Sequence, residues 1–208
     1  MRRMISIVCA EQSDIDAVLL KTESNDIEGY HLDVVEKDID NNGNFQNELF
    51  SNICRNSKKV KELHMLLDDV FQCIHSVCAL KPDYIYISSQ CRNIDKIFEI
   101  THKNGIKLGI YFESGSAIED DELEKFYQYS MNFMILTVEP QSIGGKWLPY
   151  AENNINSILN TKKYIELELD GACSKEVIDY YSGMGVNAFV LGTKSGYFDG
   201  FRVRKGKF

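Results

Sequence analysis

Short apolar runs rich in Ile, Val, Tyr and Phe alternate with longer amphipathic segments along this chain. Eight runs read as buried parallel strands: Met4 to Cys9, Gly29 to Val34, Lys61 to Leu66, Tyr84 to Ser88, Lys107 to Phe112, Phe133 to Val138, Tyr164 to Leu169 and Ala188 to Leu191. Helices are predicted between them at Ser13 to Lys21, Phe45 to Cys54, Asp68 to Leu80, Asn93 to Asn104, Ile118 to Tyr129, Ala151 to Leu159 and Ser174 to Met184. Ser174 marks a helix start, and Gly105 and Gly185 mark helix ends. Strands and helices alternating eightfold in 208 residues predict a single (β/α)8 TIM-barrel domain, α/β in class, spanning 1–208. Only ten residues follow Phe198, so the last helix is expected to be truncated.

Charge narrows the function classes. With 23 basic and 31 acidic residues the chain carries a net charge of -8, which argues against nucleic-acid binding. The one basic cluster, Arg202-Val203-Arg204-Lys205-Gly206-Lys207, reads as a solvated end. Six cysteines without C-x-x-C spacing, and no secretory signal, predict reduced thiols in a cytoplasmic protein. No run approaches membrane-spanning length.

In such a barrel the chemistry sits at the carboxyl ends of the strands. Ser6, His31, Asp33, His64 and Asp170 all fall on or at the end of a predicted strand. Side chains alternate along a strand, so His31 and Asp33 point the same way. Two His and two Asp converging at one end of a barrel would make a divalent-metal site with a carboxylate on either side of a substrate.

The same residues carry a resemblance to a known family. Ser6-Ile7-Val8, His31-Leu32-Asp33-Val34-Val35-Glu36 and His64-Met65-Leu66 occur in order. They are followed by Leu136-Thr137-Val138-Glu139-Pro140 with Gly144-Gly145-Lys146-Trp147, then Asp170-Gly171-Ala172, then Gly185-Val186-Asn187-Ala188-Phe189-Val190-Leu191-Gly192-Thr193. Together these motifs resemble the ribulose-phosphate 3-epimerases, a ribulose-phosphate-binding barrel family, over roughly Met4 to Phe198. The resemblance implies one divalent metal ion held by His31, Asp33, His64 and Asp170. Zinc, iron, manganese and cobalt all suit that N/O donor set.

The resemblance further implies an isomerase of carbohydrate metabolism that inverts C3 of a phosphorylated ketose through an enediolate. Ribulose 5-phosphate/xylulose 5-phosphate of the pentose phosphate series, or a relative such as allulose 6-phosphate, would be the substrate. Asp33 and Asp170 would act as acid and base, and Ser6 would position substrate oxygens. Backbone N–H groups at Gly171, Ala172, Gly192 and Thr193, with the lid residues Gly144 and Gly145, would hold the phosphate. A homo-oligomer is a family-level expectation.

Several positions depart from the family pattern. Gln141-Ser142-Ile143-Gly144 replaces Gly-Phe-Gly-Gly in the lid, and Gly145 replaces its Gln. Val35, Leu66 and Leu136 replace methionines that line the family's reaction centre. Ile87-Ser88-Ser89-Gln90 and Phe112-Glu113-Ser114-Gly115-Ser116 replace the motifs after strands four and five, and Glu113 adds negative charge. These changes admit an alternative, a non-catalytic or regulatory sugar-phosphate-binding barrel that retains its metal site. A related decarboxylase is disfavoured, since its Asp-x-Lys-x-x-Asp motif is absent. Asp38-Ile39-Asp40-Asn41-Asn42-Gly43-Asn44 resembles the start of a calcium loop, but Leu49 stands where the loop needs Glu.

Overall fold

A computed structural model describes residues 1–113, 117–161 and 163–208. Eight parallel strands close into a barrel in chain order: β1 (Arg2–Ser6), β2 (Gly29–Val35), β3 (Val60–Leu66), β4 (Tyr84–Ser88), β5 (Lys107–Phe112), β6 (Asn132–Leu136), β7 (Glu166–Asp170) and β8 (Ala188–Leu191). The ring shuts where β1 runs beside β8, from Arg2↔Ala188 to Ile5↔Leu191. Among the described residues, seven α-helices lie between the strands: α1 (Ile15–Ser24), α2 (Glu48–Asn56), α3 (Ile74–Cys78), α4 (Ile94–Lys103), α5 (Asp120–Phe126), α6 (Ala151–Leu159) and α7 (Lys175–Met184). No helix among the described residues is long and apolar enough to cross a membrane.

Strand alternation divides the core in two. One set of strand side chains, including Ile5, Leu32, Leu63, Ile85, Ile110 and Phe189, packs outward with the helices. The other set fills the barrel, with Val35, Leu66, Tyr86, Tyr111, Met134 and Leu136 in one apolar cluster. Fully burying a side chain of this size contributes about 2 kcal/mol. Gly109 on β5 makes room for Tyr86 on β4: a Cβ there would lie 2.3 Å from the tyrosine ring.

The predicted strands all form, three over the predicted residues and the rest with shifted ends. β1 stops at Ser6, because Ile7–Cys9 winds into a 3-10 turn. The long helix expected over Asp68 to Leu80 shrinks to α3. Asp69 Oδ1 accepts the Phe71 N–H at 3.0 Å and Cys73 N–H bonds Val70 O at 3.2 Å, so local turns win over the first part. Ser174 caps α7 through its Oγ, and Gly185 ends it at φ 113°. Beyond β8 the described residues form turns and extended segments in place of a helix. Gly206–Lys207 pairs antiparallel with Ser142–Ile143 in the loop after β6.

Candidate functional site

Register brings the four polar strand ends together. Asp33 lies opposite His64 across β2 and β3, and His31 precedes Asp33 by two residues on the same face. Asp170 ends β7, opposite Leu136. His31 Nε2 lies 3.2 Å from Asp33 Oδ1 and 3.6 Å from Asp170 Oδ2. His64 Nδ1 lies 3.1 and 3.4 Å from the same two oxygens. Both imidazoles are fully buried, and Asp33 is nearly so. Ser6 Oγ reaches Asp33 Oδ2 at 3.4 Å.

The four groups fit a divalent cation. All four donor atoms lie within 4.8 Å of one another. Nitrogen–oxygen separations of 3.1 to 3.6 Å match neighbouring ligands about 2.0–2.2 Å from a shared centre. Without a cation the ring protons balance the carboxylates. Burial disfavours a charged His31, but Asp33 and Asp170 outweigh it and hold its pKa well above the usual value. His64 is raised as well: burial opposes the charge, and hydrogen bonds to Asp170 and Asp33 prevail. Asp33 is the converse, with burial overcome by His31 and His64, so its carboxyl sits well below the usual range.

A second buried layer lies beneath this cluster. His31 Nδ1 is 2.7 Å from Glu62 Oε1, on the side of the ring away from Asp33. Arg2 enters from β1, with Nη2 2.9 Å from Glu168 Oε2 and 3.0 Å from the Tyr86 hydroxyl, and Nη1 3.1 Å from Glu166. Burial, with Glu62 adding to it, pushes the Glu168 carboxyl up to about 8 against the pull of Arg2. Sequence reading passed over these residues. The available signal was spacing, since Glu62 and Glu168 precede His64 and Asp170 by two and therefore share their faces.

Above the cluster is a cleft of about 560 Å³, counting space open to solvent. Ser6, Gly144, Gly171, Ala172, Gly192 and Thr193 line it together with Asp33, His64 and Asp170. Gly145 is not among the lining residues; its carbonyl accepts a hydrogen bond from Lys194 Nζ at 2.6 Å. Gly171 holds φ 110°, and a Cβ there would lie 2.5 Å from Val138, so the chain packs tightly where it leaves β7. Ala172 follows with φ 47°, in the left-handed region.

The remaining sequence candidates lie elsewhere. Asp40 accepts from the Asn42 and Asn44 backbone N–H groups at 2.8 Å, and Asp38 from Val35 N–H at 3.0 Å. The calcium-like carboxylates are thus satisfied by their own loop. All six cysteines are free thiols. Glu113 is exposed and lines a separate depression beside Tyr111. Ser114, Gly115 and Ser116 lie outside the described residues.

The fold and this cluster define a (β/α)8 barrel with a cluster that could hold a metal at the carboxyl ends of its strands. The chain belongs to the ribulose-phosphate 3-epimerase family, whose model matches residues 4–195. A ribulose-phosphate 3-epimerase from Candida glabrata is 26% identical over 97 residues, 47% of this chain. That match spans 39% of the relative's length. Among solved structures, 3-hexulose-6-phosphate synthase from Salmonella typhimurium superposes with a TM-score of 0.66 at 9% identity, covering 96% of this chain and 90% of that one. A tryptophan synthase α-subunit from Pyrococcus furiosus gives 0.65 at 14%, covering 91% and 85%. At these identities the structural likeness speaks to the fold alone.

Proposed function

We propose that this chain inverts C3 of a phosphorylated ketose, ribulose 5-phosphate or a relative such as allulose 6-phosphate. One divalent metal ion held by His31, Asp33, His64 and Asp170 completes the site. The observation that carries this reading is the convergence of Asp33 and Asp170, from separate strands, on the same pair of imidazoles within one cleft. A bound cation would act as a Lewis acid toward the ketose oxygens, which acidifies the C3 proton.

The protein's own groups do the rest. Asp33, which lines the cleft 3.4 Å from Ser6 Oγ, is placed to accept the C3 proton on one face. Asp170 returns a proton to the opposite face, and the two exchange roles in the reverse direction. Ser6 donates to a sugar oxygen. Gly171, Ala172, Gly192 and Thr193, with Gly144 of the lid, line the same cleft, and backbone N–H groups there would hold the phosphate.

The test is solvent-deuterium incorporation at C3 of ribulose 5-phosphate, followed by NMR with metal-loaded protein and a panel of ketose phosphates. Exchange that disappears in Asp33→Asn and Asp170→Asn is expected. Absence of exchange with every ketose phosphate, despite bound metal, would overturn the epimerase reading in favour of a binding barrel.

A further inference from the structure

The residues that would form an eighth helix run instead as a chord across the barrel mouth. At one end they are tied to the loop after β1. Arg202 N–H bonds Asp14 Oδ2 at 2.6 Å, Glu11 N–H bonds Arg202 O at 3.0 Å, and Arg204 N–H bonds Cys9 O at 3.0 Å. Val203 bridges Ala10 between these bonds. At the other end the chain pairs with the lid after β6, Gly206 with Ile143 and Lys207 with Ser142, and Phe208 N–H reaches Gln141 O at 3.3 Å. In a ring of eight, β1 and β6 stand three strands apart, so the chord passes over the opening.

The chord carries an aromatic side chain, Phe208, to the cleft that Asp33 and Asp170 line. Phe208 is half-buried against the interior cluster that includes Val35, Leu66 and Leu136. It also lines the cleft shared by Asp33, His64 and Asp170. An enediolate needs a dry surface beside it, because water competes for the proton and weakens every electrostatic contact. Leu66 and Leu136 supply short aliphatic walls of that cleft, and Phe208 supplies a broad aromatic face.

We infer that Phe208 is a substrate-contacting, specificity-determining residue: delivered by the strap 202–208, it roofs the ketose and limits the length of sugar that fits. The inference rests on the epimerase reading for its chemistry, but the contact itself can be measured separately. Because the strap meets the lid through a short backbone pairing and the packing of Phe208, substrate enters as the strap lifts from the lid and is enclosed when it pairs again.

The experiment compares wild type, Phe208→Leu and Phe208→Ala, all metal-loaded, with ribulose 5-phosphate and allulose 6-phosphate as probes. Calorimetry gives Kd, C3 exchange gives KM and kcat, and amide hydrogen exchange follows residues 202–208. Phe208→Ala is expected to weaken ribulose 5-phosphate about tenfold in Kd and KM, as loss of an apolar contact of this size predicts. It should favour the six-carbon sugar by a similar factor, and Phe208→Leu should restore most of the loss. Added ribulose 5-phosphate should slow amide exchange in the strap. Unchanged Kd, KM and sugar preference in Phe208→Ala would overturn the inference and leave the epimerase standing. Wild type that binds ribulose 5-phosphate without C3 exchange would sink the epimerase reading, and the Kd series would still judge Phe208. Wild type that binds neither sugar phosphate would overturn both.

Discussion

Glu62 Oε1 lies 2.7 Å from His31 Nδ1, while Nε2 of the same ring faces Asp33 and Asp170. A carboxylate behind an imidazole fixes which nitrogen carries the proton: Nδ1–H donates to Glu62, and the Nε2 lone pair is left for a cation. Glu62→Ala should therefore weaken metal binding about 10- to 100-fold, and Glu62→Gln less. Competition against a chelator would measure this, with circular dichroism as the control for folding. Unchanged affinity in Glu62→Ala would remove its orienting role.

Arg2 is the counter-charge for the buried acids beneath the site. At pH 9, where the Glu168 carboxyl is charged in the wild type, Arg2→Met leaves Glu168 and Glu62 without it, and breaking a buried pair from one side costs about 3–5 kcal/mol. For a chain of this length that lowers Tm by roughly 6–20 °C. Adding Glu168→Gln should recover part of the loss, because the acid left unpaired is then gone. Additive effects in the double variant would refute the coupling.

Metal binding should stabilise the fold by mass action. At a hundred times Kd the gain is about 2.7 kcal/mol, so added zinc or manganese should raise Tm by several degrees and a chelator should reverse it. His64→Ala is expected to lose this response and lower the bound metal. A His64→Ala protein that keeps the full metal-dependent shift would exclude His64 as a ligand.

Cys91 gives the clearest dependence on pH. It is the one cysteine not buried, yet desolvation pushes its thiol up to about 11, with Asp69 adding to the effect. A raised thiol pKa means less thiolate at a given pH, about a thousandth at pH 8 against roughly a quarter for an ordinary cysteine. Alkylation of the native chain should be slow at pH 8 and accelerate about tenfold per unit up to pH 10. Fast labelling at neutral pH would contradict that environment.

Much of the barrel was legible because parallel strands, covered on both faces, leave continuous apolar runs. Tyr84–Ser88, Lys107–Phe112 and Ala188–Leu191 form over the very residues that their Ile, Leu, Tyr and Val content marks. Asp68 to Leu80 misled because its helical periodicity outweighed one side chain: Asp69 binds the Phe71 amide and turns the chain before a helix can begin. The convergence of His31, Asp33, His64 and Asp170 could be read from motif order and strand phase. Glu62 and Glu168 share the strand phase of His64 and Asp170, but a buried acid and an exposed one leave the same mark in a strand, so phase alone did not single them out. The basic segment at 202–207 looked like a solvated end. Its value lies in backbone pairing with distant loops, which composition does not encode.

The seam between β1 and β8 bears on how the molecule assembles. Arg2 bonds backbone at Asn187 and side chains at Glu166 and Glu168, all more than 160 residues downstream. During synthesis its guanidinium therefore lacks Glu166 and Glu168 until nearly the whole barrel has emerged. Contacts of such long sequence separation form late, since the loop-closure entropy must first be overcome. Shutting the ring and neutralising the acids beneath the site thus become one kinetic event, which leaves an incomplete barrel with open sheet edges and an unbalanced interior until its final strand arrives.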